Sequence, residues 1–214
     1  MKIRIVLVED DRYIRRHFME RLSEEEGIDL LAAVGDAFEA EKLCGPTVDL
    51  VLMDVLTLHK HSGLAAGKRI RKAFPHIKVV IITSLVDPEV LLQAKQGCAD
   101  SLWYKDHGTD AILDVIRRTV AGEHIFPDFS PSVEMKKCMS RDFSPAQIEI
   151  LRAFIKGYTY REIAEKFNLS VSGVRYNIAE MVRIGGFKNK EELTTTAIEN
   201  KLVITTLEDG EGET

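Results

Sequence analysis

The chain is poor in the residues that would staple it covalently or carry it through a membrane. Its 214 residues include three cysteines, Cys44, Cys98 and Cys138, odd in number, widely spaced and without a C-x-x-C pair. That pattern excludes a disulfide framework and suits a reducing compartment, so a cytoplasmic protein is expected. The longest apolar runs, such as "IKVVIIT" at residues 77–83, are strand-sized and far short of the ~20 residues that span a bilayer. The opening "MKIRIVLV" runs straight into a strand-like pattern and lacks the apolar core and cleavage site of a signal peptide. No membrane partner is expected. Six prolines and a net charge of −5 exclude a proline-rich disordered chain and a strongly basic one. What remains, 45% hydrophobic and 29% charged, is ordinary globular composition, at a length that suits two domains.

The charge is unevenly spread. Residues 1–123 carry 17 basic and 20 acidic side chains, whereas residues 140–204 carry 10 and 8. Only the later segment leans basic, which fits a small nucleic-acid-binding module. The acidic end, residues 205–214, is expected to be disordered.

The first half alternates two periods. Apolar runs at Ile3–Val8, Leu30–Val34, Val48–Met53, Val79–Ile82 and Ser101–Tyr104 are separated by helical spacing, as in Ile14, Phe18 and Leu22. Five strands alternating with helices, the central ones apolar on both faces, predict a doubly wound parallel α/β sheet. Near Gly122 the alternation stops. Residues 123–141 hold two prolines and no sustained period, and read as a linker with a short helix around Val133–Met139. From Phe143 on everything is helical. "SPAQ" at 144–147 and "TYRE" at 159–162 are capping boxes, Gly157 closes the first helix, a third begins near Val171, and "NKEE" at 189–192 opens a fourth. Four short helices in about sixty residues can bury their apolar faces only against one another, which predicts one compact bundle.

Chemistry gathers where the strands end. Ligands of open parallel sheets bind outside the carboxyl ends of the strands. There the sequence places Glu9 and Asp10 after the first strand, Asp54 at the end of the third, Thr83 and Ser84 at the end of the fourth, and Lys105 after the fifth. Polar residues commonly terminate buried strands, but three carboxylates, a hydroxyl and an amine at one rim form a hard oxygen site suited to Mg²⁺. An Asp beside such a cation can act as a carboxylate nucleophile toward a phosphoryl group. Asp54 is the candidate nucleophile, Glu9 and Asp10 the metal-side acids, Lys105 the phosphoryl cation and Thr83 the hydroxyl donor.

In "LVEDD", "DLVLMDV", "VVIITS" and "YKD" the chain resembles the receiver domain of two-component response regulators over residues 1–122. The resemblance implies a five-stranded sheet in the order 2-1-3-4-5, phosphorylation of Asp54 by a sensor histidine kinase, and a Mg²⁺ held by Glu9, Asp10, Asp54 and the backbone carbonyl of Leu56. The chain departs from the family in having Leu58 where a proline is usual, an extra residue in "HKHS" before Gly63, and Leu102 where an aromatic switch residue is usual. His59 and His61 are expected to be a solvated loop pair, lacking further metal ligands.

The later helices carry "GYTYREIAEKFNLS" and "SGVRYNIAEMVRIGGFKNKEEL", two helices joined by a short turn, in which a second helix would lie in the major groove of DNA. Val171, Val174, Ile178, Met181 and Val182 form its apolar stripe, while Ser172, Tyr176, Ala179 and Arg183 point away. Residues 142–204 resemble the helix-turn-helix domain of LuxR-type (NarL/FixJ) regulators. That resemblance implies base-facing roles for Arg175, Tyr176 and Ala179, and phosphate or supporting roles for Thr159, Arg183 and Lys188. Gly173 replaces the family's usual Thr. The expected protein is a dimeric transcription factor that binds double-stranded operator DNA and accepts a phosphoryl group on its own Asp without being a turnover enzyme. Two alternatives remain open: a regulator that ignores phosphorylation, and an aspartyl-phosphate phosphohydrolase, whose first-strand D-x-D nucleophile and late acids the chain lacks.

Overall fold

The computed structural model describes residues 2–105 and 109–204. They divide into two compact units: one runs to Leu85 and from Glu89 to Phe129, the other from Ser130 onward together with Val86–Pro88.

In the first unit, strands β1 (Ile3–Val8), β2 (Ile28–Val34), β3 (Leu50–Asp54), β4 (Lys78–Thr83) and β5 (Ser101–Tyr104) form one sheet in the order 2-1-3-4-5, as expected. Every pairing is parallel. Helices α1 (Arg12–Ser23), α2 (Ala37–Leu43), α3 (Gly63–Ala73) and α4 (Pro88–Gln93) lie in the crossovers between strands, since parallel neighbours cannot be joined by a tight turn, and α5 (Thr109–Val120) follows the last strand. The inner strands are buried along their length, β3 at all five positions, because helices cover both faces. Ile5, Leu7, Leu50, Leu52, Val80, Ile82 and Trp103 pack on one face with Phe18 and Leu22 of α1 and Ile112 and Ile116 of α5. On the other face α3 comes close enough that a Cβ on Gly67 would lie 2.5 Å from the Cys98 carbonyl oxygen and 3.3 Å from Val79. Past α5 the chain returns along β5, where Leu102 N–H donates to the Ile125 carbonyl at 2.9 Å.

The second unit contains a two-stranded antiparallel hairpin, β6 (Glu134–Met135) and β7 (Cys138–Met139), then α6 (Pro145–Ile155), α7 (Tyr160–Lys166), α8 (Val171–Gly185) and α9 (Lys190–Glu199). The hairpin corrects the short helix expected around Val133–Met139. Its two-residue turn puts Lys136 at φ 67°, a conformation sequence rules reserve for Gly or Asn, and Met135 is fully buried in the helical core. The helix starts fall as expected. Ser144 and Gln147 exchange backbone–side-chain bonds at 3.2 and 2.8 Å, Thr159 and Glu162 do the same, and Gly157 follows α6 at φ 89°. Val174, Ile178 and Met181 are buried against α6, α7 and α9. Val171, assigned to the same stripe, is 37% exposed, because it sits in the first turn of α8, where the stripe has not yet come round to the bundle. The tail at 205–214 lies outside the described residues. No helix among the described residues is long and apolar enough to cross a membrane.

Candidate functional site

The rim at the carboxyl end of the sheet is assembled by three strand ends. β1 delivers Glu9, 1% exposed, and Asp10; β3 delivers Asp54, 6% exposed. Carboxylate oxygens of these three residues all lie within 4.8 Å of one another. Lys105, directly after β5, places its Nζ 2.6 Å from Asp54 Oδ2 and 2.6 Å from Glu9 Oε2. Asp54 Oδ1 accepts the Val55 N–H at 2.6 Å. Three acids facing one ammonium leave negative charge uncompensated in a site where Glu9 and Asp54 are buried and Asp10 is half-buried. Burial pushes the Asp54 carboxyl up to about 7, the Lys105 ammonium opposing this and the Glu9 charge adding to it. Burial also works against the Lys105 charge, yet Asp54 and Glu9 outweigh it and hold that pKa above the usual lysine value. A compact all-oxygen donor set short of positive charge is the arrangement a hard divalent cation fits.

The third acid of the sequence cluster has another task. Asp11 caps α1, its side chain accepting from Tyr13 N–H and Ile14 N–H at 2.8 and 3.1 Å, and these bonds lower its pKa. Thr83 is fully buried at the end of β4, its hydroxyl accepting the Leu85 N–H at 3.0 Å. Leu56, two residues beyond Asp54, is fixed in an isolated antiparallel bridge with Ser62. Leu102 is buried in β5.

Several supporting residues escaped the sequence reading. A Cβ on Gly63 would lie 1.8 Å from the Asp54 carbonyl oxygen, so α3 begins directly against the backbone of Asp54. Arg15 Nη1 donates to the Glu9 carbonyl at 2.5 Å. His61 corrects the expectation of a solvated pair: its Nδ1 lies 2.8 Å from Asp36 Oδ2 and its ring 4.1 Å from Phe38, with His59 exposed beside it at φ 60°. The sequence marked this loop by its histidine spacing, Leu58 and the extra residue in "HKHS", but nothing local pointed to Asp36, 25 residues away.

In the second unit, Arg175, Tyr176, Ala179 and Arg183 lie on the exposed side of α8 and Lys188 is exposed beyond it. Arg183 is engaged by Glu180 at 2.5 and 2.8 Å. The Thr159 hydroxyl is committed to its capping box with Glu162, and the Lys188 N–H donates to Glu192.

Residues 5–117 match the response regulator receiver domain family. The chain belongs to that family. The response regulator is 28% identical to the oxygen regulatory protein NreC of Staphylococcus aureus, over 94% of this chain and 99% of that protein. Among solved structures it resembles RcsB from Salmonella enterica serovar Typhimurium bound to promoter DNA with the phosphomimetic BeF3− (TM-score 0.59, 16% identity, 91% of this chain and 98% of that one). It also resembles the response regulator ChrA of a heme-sensing two-component system (TM-score 0.51, 21% identity, 94% and 98%). A LuxR-family response regulator from Aurantimonas shares the fold over 60% of this chain and 91% of its own length (TM-score 0.55, 24% identity).

Proposed function

We propose that this response regulator is a DNA-binding transcription factor controlled by phosphorylation of Asp54. The observation that carries the reading is the Lys105 ammonium set 2.6 Å from both Asp54 and Glu9, with Asp10 completing the acid cluster. Glu9, Asp10, Asp54 and the Leu56 carbonyl would hold Mg²⁺, which would supply positive charge to offset the acids and the incoming phosphoryl group. Asp54 attacks the phosphorus of a histidine kinase's phosphoimidazole. The P–N bond breaks, and the imidazole leaves with its electron pair and takes a proton. Lys105 offsets charge on the equatorial oxygens and the Thr83 hydroxyl donates to one of them. The acyl phosphate then biases the receiver toward one of two states and favours pairing of two chains, so that two recognition helices read a two-fold operator. Arg175, Tyr176 and Ala179 are proposed to face base edges. Thr159, Arg183 and Lys188 are proposed to position the backbone or support the helices. The domain limits proposed are 1–122 for the receiver and 142–204 for the DNA-binding domain.

Acetyl phosphate with Mg²⁺, followed by intact mass, tests the reading. The wild type should gain one phosphoryl group and Asp54→Asn none. A wild type left unlabelled under conditions that label another receiver would favour the regulator that ignores phosphorylation.

A further inference from the structure

Four side chains of the helical unit, one from each of its helices, meet on its surface. Phe154 of α6 and Tyr160 of α7 stack with ring centroids 5.7 Å apart and planes 20° from parallel. Lys190, the first residue of α9, sets its Nζ 5.2 Å over Phe154 and 5.4 Å over Tyr160, and 3.5 Å from the Tyr160 hydroxyl. Arg175 of α8 sets its guanidinium 5.6 Å over the same Tyr160 ring.

Several other basic side chains of this unit face carboxylates instead. Arg183 pairs with Glu180, Lys136 with Glu192 at 2.8 Å and Arg161 with Glu165 at 3.9 Å. Among the described residues no carboxylate pairs with Arg175, and Lys190 has only Glu191 at 3.9 Å, both groups well exposed, a contact of little energetic weight. A carboxylate cancels a cation's charge, whereas an aromatic face holds the cation in place and leaves its charge for an incoming anion. Lys166 is also held over rings, those of Tyr158 and Phe167 at 5.2 and 5.8 Å; what sets Arg175 and Lys190 apart is that they share one ring, Tyr160.

Deepening the DNA-binding reading on which it rests, we infer that Lys190 takes a phosphate of duplex DNA and that Tyr160 is the positioning residue that holds Lys190 and Arg175 ready for the strand. Tyr160 lies in the first turn of the scaffold helix α7, Arg175 on the exposed side of α8. The ring thus couples backbone grip to the reading helix, and the ordering of two long side chains is completed before DNA arrives.

The test is binding of the full chain to a duplex over a range of salt, by fluorescence anisotropy, with thermal unfolding as the folding control. Lys190→Gln should weaken binding to operator and unrelated duplexes alike and reduce the slope of log K against log salt by about one. Tyr160→Leu should weaken binding ~2–5-fold with the slope nearly kept, since the charges remain but are no longer held. Tyr160→Phe, which keeps the ring, should bind as wild type. The combined Tyr160→Leu, Lys190→Gln loss should be less than the product of the single losses. A wild-type slope in Lys190→Gln, or a Tyr160→Phe loss as large as that of Tyr160→Leu, would overturn the inference while DNA binding stands. A wild type that binds no duplex at any salt would overturn both.

Discussion

At the scale of single residues, the site is governed by how few positive charges face its acids. Asp54 titrates near 7 in the folded chain because burial disfavours its charge, against 3.8 for a free carboxyl. Its folded pKa is raised, so its contribution to stability is complete below about pH 4 and is lost as the pH climbs through about 7. Asp54→Asn removes this titration. Without metal, the variant should melt at the wild-type temperature near pH 4 and above it at pH 8, as calorimetry would show; a gap that does not change with pH would refute the cause assigned here. Gly63 acts by what it lacks. A methyl group 1.8 Å from the Asp54 carbonyl and 2.9 Å from Met53 Cγ can be relieved only by moving backbone. Gly63→Ala should cost about 1–3 kcal/mol or more in denaturant melts and should slow labelling of Asp54 beyond what stability alone explains. The acids, lysine and threonine were legible because strand ends converge in any parallel sheet. Gly63 was not, because a close approach leaves no trace in composition.

At the scale of elements, the clearest sequence signals were those with chemistry of their own. Ser144–Gln147 and Thr159–Glu162 satisfy orphan helix N–H groups within four residues, so the local sequence suffices. The hairpin of β6 and β7 was hidden because its turn uses Lys136 and Lys137, and its strands are held by burial of Met135 in a core built from distant helices. The loop from Thr57 to Ser62 was hidden for a related reason. Thr57 Oγ1 donates to the His61 carbonyl at 2.8 Å, the Ala37 N–H donates to Thr57 Oγ1 at 3.2 Å, and His61 reaches Asp36. This loop is the segment between Asp54 and α3, so its anchor should matter to the site. His61→Phe keeps the packing on Phe38 and loses the polar bond. It should lower stability by about 1 kcal/mol and slow acetyl phosphate labelling, and labelling at the wild-type rate would show that the loop needs no such anchor.

At the scale of the whole molecule, the fold was readable from order and spacing, a strand–helix alternation followed by four short helices, and the family from its resemblance in motifs such as "LVEDD" and "DLVLMDV". The apolar faces that pack were also mostly readable, with Val171 as the exception. Hidden from that reading were contacts that join residues far apart in the chain, such as Arg152 with Asp87 at 2.5 and 2.6 Å inside the second unit, or the gathering of Arg175 and Lys190 around Tyr160. Such pairs depend on three-dimensional closure and have no period.

The segment after α5 has a practical consequence. A sheet ordered 2-1-3-4-5 has two margins, and an unpaired margin invites foreign strands. On the β5 side, Ile125 accepts from Leu102 and donates its own N–H to the Ser101 hydroxyl at 3.0 Å, which covers part of that margin. A receiver shortened to residues 1–122 would strip this selvedge away and should clump during concentration. One carried through Phe129 should stay dispersed in light scattering, so the useful place to cut the chain lies beyond the point where its helices and strands end.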